Sequence, residues 1–451
     1  LVLTLDKDRE MSVSSKTLGV TAGVIVAAGG LYLGAQAVVG NEVEKSLADA
    51  FDRLERSPSW RVRDVHIEKH LFHTTARATL GMAGNDAAQA ELDLNVDHGV
   101  FKSPVTGTLT PAGTFLDGTL DIDMTASWRG IAGQLRAESL QTVEEGVDGA
   151  LTNLVVDVDY ADEHDWRIAS LADDISITRW AQVPPFRLVS PRWEISSRGE
   201  RGGSVAQRMS APRLELAFNG HEVALEEIAF DTVFEPSAGD GARSQDQNGR
   251  VSVAAIDIDG ETLGSLSMAL ATRRFDVEAF QAYQEHYARL VAARPNIEAI
   301  PSSLDRARYG QDVEALVDSG YRFLANSPEI AIDPLEAHVV MPEYGLDVSP
   351  RLSAELRFDG QALSREALYA LALTSDLVVG DALDAQMPMS GEQASQYLLQ
   401  RLFFDVRLTT PPREVLEQLP LMVGLMIDPD RDEQTLTWDQ GRLSINGEAV
   451  M

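Results

Sequence analysis

The 451-residue sequence contains no cysteine. That absence excludes disulfide bonds, cysteine-ligated zinc and thiol nucleophiles. It also leaves no cysteine to carry a lipid after the N-terminal apolar run. Lysine is nearly absent as well: it stands only at positions 7, 16, 45, 69 and 102, and every later base is arginine. A formal net charge of −32 repels nucleic acid and anionic headgroups, so a phosphate-binding role is disfavoured and no nucleic-acid partner is expected. No G-x-S-x-G elbow, phosphate-cradling glycine loop or dinucleotide fingerprint is present. No cofactor is implied.

What the chain does have is one long uncharged run, residues 17–39. A helix crosses the hydrocarbon core of a bilayer in roughly 20 residues, so this run is read as a transmembrane anchor. A secretory signal cleaved after Ala37 is the alternative, since Ala35-Gln36-Ala37 fits the small-x-small rule. The run exceeds the about 7–15 apolar residues of such a signal. Residues 1–10 are read as preceding the native start at Met11, and 11–16 as a short cytoplasmic tail. The expected topology is single-pass in a bacterial inner membrane, with the bulk in the periplasm.

Residues 40–56 are predicted to form a juxtamembrane helix, because Val43, Leu47, Ala50, Phe51 and Leu54 recur at helical spacing. Ser57-Pro58-Ser59 is expected to stop it. A β-rich region follows over 57–236. Asp-Gly or Asn-Gly pairs at 117–118, 219–220, 259–260, 359–360 and 446–447 sit beside alternating apolar runs. Such pairs supply the positive φ angles of tight hairpins and predict antiparallel sheet. Residues 237–250 lack any large apolar side chain and are expected to be a mobile loop. A mixed β/α region is expected over 251–451, with helices at 276–293, 312–324, 364–373, 392–402 and 413–424. The fold class is therefore α+β, predominantly antiparallel β: an N-terminal transmembrane helix, then a large extracytoplasmic body with interspersed amphipathic helices.

Candidate sites are few. His66, His70 and His73 cluster, but Glu68 stands two residues after the first His, where a zincin needs it at one. The neighbours read as strand, which puts His66 and His70 on one face and His73 on the other. Asp428-Pro429-Asp430-Arg431-Asp432 opens like a calcium loop, yet the turn position holds Glu433 and the bidentate position Asp439. An acidic turn is the expectation. Asp121, Asp123, Asp257 and Asp259 read as the wet face of strands. The apolar face of Phe280, Tyr283, Tyr287, Leu290 and Val291 is read as core, as is the nine-residue stretch Leu419–Ile427. No catalytic, cofactor or metal residue is assigned.

The span ending in Tyr32-x-Gly34, the pattern Val65-x-Ile67-Glu68-Lys69-x-Leu71-Phe72 and the closing Gly441-Arg442-Leu443-Ser444-Ile445-Asn446-Gly447 resemble the YdgA family. These are YdgA/YihF-like bacterial proteins with the domain of unknown function number 945. The chain departs from the family at His70, where a Gly is usual, and near His73, where a Ser is usual. The resemblance implies an inner-membrane anchor and a periplasmic body, and supplies no activity. The function expected is a non-enzymatic binding or structural protein of the envelope, holding an apolar or lipid ligand or a protein partner, or assembling with copies of itself. A sheet groove lined by alternate apolar residues would suit the lipid. The alternative is an envelope hydrolase using an acidic pair.

Overall fold

A computed structural model describes residues 43–56, 60–82, 85–111, 116–142, 146–162, 164–179, 184–198, 203–218, 220–237, 244–297, 303–341, 345–374, 389–410, 412 and 427–450. The expected anchor at 17–39, the stop at 57–59, the helix at 413–424 and most of the stretch 419–427 lie outside these residues. No helix among the described residues is long and apolar enough to cross a membrane. The chain divides into two compact units, one of residues 1–231 and 253–262, the other of 232–252 and 263–451.

Among the described residues the first unit begins with α1 (Val43–Glu55), followed by the strands β1 (Trp60–Lys69), β2 (His73–Met82), β3 (Asn85–Asp97), β4 (Lys102–Pro111), β5 (Leu116–Gly118), β6 (Leu120–Ser127), β7 (Gly130–Thr142) and β8 (Asp148–Asp162). Each pairs antiparallel with its neighbour, β5 and β6 forming one interrupted strand along β7. The alternation that predicts this is literal in β6. Leu120, Ile122, Met124 and Ala126 are buried, while Asp121 and Asp123 face solvent. All five stripe residues of α1 are buried too, and the helix packs on β1 and β2. These side chains form one continuous core with the inward positions of β3, β4, β6, β7 and β8. Burying each large aliphatic side chain contributes about 1.5–3 kcal/mol. Leu94, Leu135 and Leu140 are at most 2% exposed, so this part of the face is closely packed.

Beyond β8 the strands break. β9 (Asp165–Leu171) and β10 (Asp174–Arg179) pair with successive halves of β8. β11 (Phe186–Val189) and β12 (Arg192–Arg198) pair with β10 and β9, and both pair with the long β13 (Ser204–Phe218). The breaks fall at one level. Asp173 N donates to Thr152 O at 3.0 Å, Ser190 N to Asp173 O at 2.8 Å, and Ala172 N to Pro191 O at 3.2 Å. Asn153 and Ser190 adopt positive φ there, at 50° and 45°. A crease thus crosses the sheet from β8 to Ala211-Pro212 in β13.

Three strands hold residues of both units: β14 (His221–Pro236), β15 (Ser244–Ile258) and β16 (Glu261–Asp276). Residues 244–250, expected in a mobile loop, form the first part of β15 instead. Their side chains, polar apart from Gly249, suit a strand that buries little bulk.

In the second unit, β16 pairs antiparallel with β17 (Glu329–Met341), which takes both β18 (Leu346–Val348) and β19 (Arg351–Phe358) along its far edge. The ladder continues through β20 (Leu402–Thr409), β21 (Glu433–Asp439), β22 (Arg442–Ile445) and β23 (Glu448–Ala449). Two helix pairs are inserted between neighbouring strands. α2 (Val277–Ile297) and α3 (Ser303–Ala325) join β16 to β17, while α4 (Arg365–Thr374) and α5 (Gly391–Leu399) lie between β19 and β20. Side chains cap the starts of α2, α4 and α5: Ala279 N donates to Asp276 Oδ1, Ala367 N to Ser364 Oγ, and Ser390 with Gln393 forms a reciprocal capping box.

Three of the five glycine pairs connect consecutive strands as expected. Asp259-Gly260 has φ of 53° and 85°, and Asn446-Gly447 of 54° and 82°, which are the paired positive angles of a type I′ turn. Gly220, at 86°, links β13 to β14. The other two pairs correct the prediction. Asp117-Gly118 lies inside the interrupted β5–β6 strand, where a Cβ on Gly118 would stand 2.5 Å from Ser139 O. Asp359-Gly360 leads from β19 towards α4, and a Cβ on Gly360 would stand 2.2 Å from Leu324 O. Close backbone approach, and not a hairpin, selects glycine at both.

Candidate apolar binding site

The four described helices of the second unit line a half-open cavity of about 680 Å³. Its α2 wall is Phe280, Tyr283 and Tyr287, the aromatic face the sequence pattern assigned to core. These rings only half pack: Tyr287 is 42% exposed and its ring centroid lies 6.4 Å from that of Tyr283. Burial, and secondarily the neighbouring Tyr287, pushes the Tyr283 hydroxyl above its ordinary value. It therefore stays neutral at physiological pH.

α3 supplies Leu316, Val317, Gly320, Phe323 and Leu324. Gly320 matters because a Cβ there would stand 3.4 Å from the Tyr283 ring. α4 adds Leu368, Leu371 and Ala372, α5 adds Ser395, Leu398 and Leu399, and the paired residues Phe358 and Leu402 close the floor. Among the described residues, no charged side chain lines the cavity. Such a mostly apolar concavity is the usual form of a small-molecule site.

The walls are held by packing and a few directed bonds. Phe275, Phe280 and Phe323 make a three-ring cluster with centroids 4.9–5.3 Å apart, and edge-to-face pairs add about 0.5–1.5 kcal/mol each. Asp276 caps α2 and its other oxygen meets Arg322 of α3 at 3.4 Å. On the α5 side, Trp438 Nε1 donates to Leu399 O at 3.0 Å. Tyr397 Oη donates to Ala362 O at 3.0 Å beneath the Arg401 guanidinium. The lining residues of α3, α4 and α5 went unread in the sequence. Their apolar spacing was visible there, but nothing local reports that four such stripes meet around empty space.

The polar candidates do not assemble into a centre. β1 ends at Lys69, so His70 lies in the turn and stacks on His73 with ring centroids 4.5 Å apart, which corrects the opposite-face strand reading. His66 Nε2 hydrogen-bonds Glu68 Oε1 at 2.9 Å and is 70% exposed. That bond holds the Glu68 carboxyl below its ordinary value. Asp428 accepts from Asp430 N and Arg431 Nε in an acidic turn. Among the described residues no group of His, Asp and Glu is arranged to hold a metal.

A second cavity, of about 610 Å³ in the first unit, is walled by Arg187, Arg213 and Glu215. These charges are internally matched. Arg187 meets Asp174 at 2.7 Å, and Arg213 meets Glu215 at 2.9 Å and Glu226 at 2.6 Å. Among the described residues, every displaced carboxylate is displaced downward: Glu68, Glu194, Asp246, Asp259, Glu366 and Asp428.

No curated protein and no solved structure matches this chain. The family described as "Bacterial protein of unknown function (DUF945)" does, over residues 15–120 and 114–411. With both segments of that family matched across nearly its whole length, the chain belongs to the DUF945 family of bacterial proteins.

Proposed function

We propose that this protein is a non-enzymatic binding protein of the bacterial envelope, held to the inner membrane by residues 17–39 with its bulk in the periplasm. Its ligand is apolar, a lipid acyl chain lodged between α2, α3, α4 and α5. The observation that carries this reading is a cavity of about 680 Å³ whose described lining residues include no charged side chain. Water gains little there, whereas an acyl chain removes apolar surface at about 25 cal/mol per Å². The hydrolase alternative needs a carboxyl poised to donate a proton, and the displaced carboxylates all favour the ionised form.

The test compares lipids that co-purify with the detergent-extracted full chain and with Leu371→Asp, which sets a charge at the cavity mouth. Annular lipid around the anchor is common to both, so the difference reports on the cavity. Loss of a phospholipid species in the variant supports the reading. Identical lipid profiles, or detergent alone in both, overturn it. A reporter fused after Met451 that is active only in the cytosol would overturn the periplasmic placement.

A further inference from the structure

Three hairpin tips at one end of the first unit's sheet share an unusual composition. Leu71 and Phe72 top β1–β2, Val100 and Phe101 top β3–β4, and Trp128 tops β6–β7. They are 81%, 74%, 77%, 74% and 68% exposed. Soluble surfaces scatter single apolar residues, but a contiguous group marks an interaction site.

The tips are adjacent. His73 pairs with Asp97, His98 N donates to Phe72 O at 2.8 Å, and Lys102 pairs with Ser127 beside Trp128. With about 4.8 Å between strands, the apolar edge runs roughly 24 Å from β1 to β7. Each tip also carries a base: Lys69, Lys102 and Arg129. Two of the chain's five lysines therefore stand here. The Arg129 guanidinium lies 4.7 Å from the Trp128 ring centroid. The next tip, β8–β9, turns acidic with Asp162 and Asp165 and bounds the patch.

We infer that these three tips insert into the interface of an anionic lipid bilayer. Aromatic rings and snorkelling Lys or Arg are the side chains that favour the headgroup level. The net charge of −32 argues against such contact for the body as a whole. Charge beyond about 8–10 Å is screened at physiological ionic strength, so the tips' own charges decide: Lys69, Lys102 and Arg129 against Glu68, which pairs with His66, and Asp97. None of this leans on the anchor or on the cavity of the proposed function.

The cysteine-free chain allows a direct test. Phe72→Cys, Phe101→Cys and Trp128→Cys, each labelled with an environment-sensitive fluorophore, are made in the full chain, with Asp148→Cys at the opposite end of the sheet as control. Each is reconstituted in vesicles of phosphatidylethanolamine and phosphatidylglycerol bearing nitroxide-labelled lipid. The expected result is blue-shifted emission and nitroxide quenching at all three tips and neither at position 148. Replacing Lys69, Lys102 and Arg129 by Gln should lower the quenched fraction, as should uncharged phosphatidylcholine vesicles. Water-like emission at the tips overturns the inference. So does a blue shift that nitroxide lipid leaves intact and that grows with protein density, which would mean that a second copy covers the tips. Carbonate extraction of the same samples reports separately on residues 17–39, so a failed anchor and failed tips are told apart.

Discussion

Arg322, in the last turn of α3, lies 3.4 Å from the buried carboxylate of Asp276 that caps the start of α2. One side chain thus fixes where the aromatic wall of the cavity begins and ties it to the facing wall. Asp276→Ala removes a cap worth about 0.5–2 kcal/mol and leaves the half-exposed Arg322 without this partner. We expect faster hydrogen exchange in the first turns of α2 and a lower unfolding midpoint. Asp276→Asn keeps the acceptor and should recover most of the loss.

Gly320 permits a finer test of the cavity. A Cβ at 3.4 Å from the Tyr283 ring is ordinary contact, and Ala gains up to about 1 kcal/mol over Gly inside a helix. Gly320→Ala should therefore stabilise the full chain and keep its lipid. Gly320→Phe should fill the space beside Tyr283 and reduce co-purified lipid. The two variants together separate volume from stability, with unfolding followed by circular dichroism and lipid by mass spectrometry.

Acid should loosen the second unit in part through Asp246. Its carboxylate accepts from Ser237 Oγ at 2.6 Å and from Arg274 N at 2.8 Å. Burial opposes ionisation, but these hydrogen bonds and the nearby arginines outweigh it and hold the folded-state value below the ordinary one. A depressed carboxylate adds stability above the unfolded value of about 3.9 and loses it as pH falls through the folded value. Asp246→Asn should lower stability at neutral pH and flatten the acid limb below about pH 4. Urea unfolding at a series of pH values checks both.

Gly118→Ala and Gly447→Ala make a contrasting pair. Both residues have positive φ, 130° and 82°. Only Gly118 also faces backbone, with Ser139 O at 2.5 Å from the added Cβ, whereas nothing lies within 4 Å of Gly447. The conformational penalty alone is about 1–2 kcal/mol. Gly118→Ala should cost clearly more than that in thermal unfolding, and Gly447→Ala no more.

The same contrast explains what the sequence could and could not disclose. An Asp-Gly pair reports that the backbone needs glycine, and Asp259-Gly260 and Asp359-Gly360 are alike in that. Whether the need arises from a turn or from Leu324 O pressing close is decided by residues far away in the chain. α1 was legible to the residue because Val43, Leu47, Ala50, Phe51 and Leu54 serve one local purpose. The face of Phe280, Tyr283 and Tyr287 was equally visible, yet core and cavity wall share one pattern. Only the placement of α4 and α5 separates them. His66, His70 and His73 were close in sequence, and the end of β1 at Lys69 put His70 in the turn, stacked on His73, while His66 bonds Glu68.

The crease from β8 to β13 gathers the ends of β9, β10, β11 and β12 at one level. Pro191 and Pro212 have no amide hydrogen to lose there, and Asn153 and Ser190 accept the unusual φ. Ladders on either side stay paired, so the interruption is confined to one line. Long strands such as β8 and β13, at 15 residues each, consequently serve two short partners apiece while remaining single uninterrupted runs of chain.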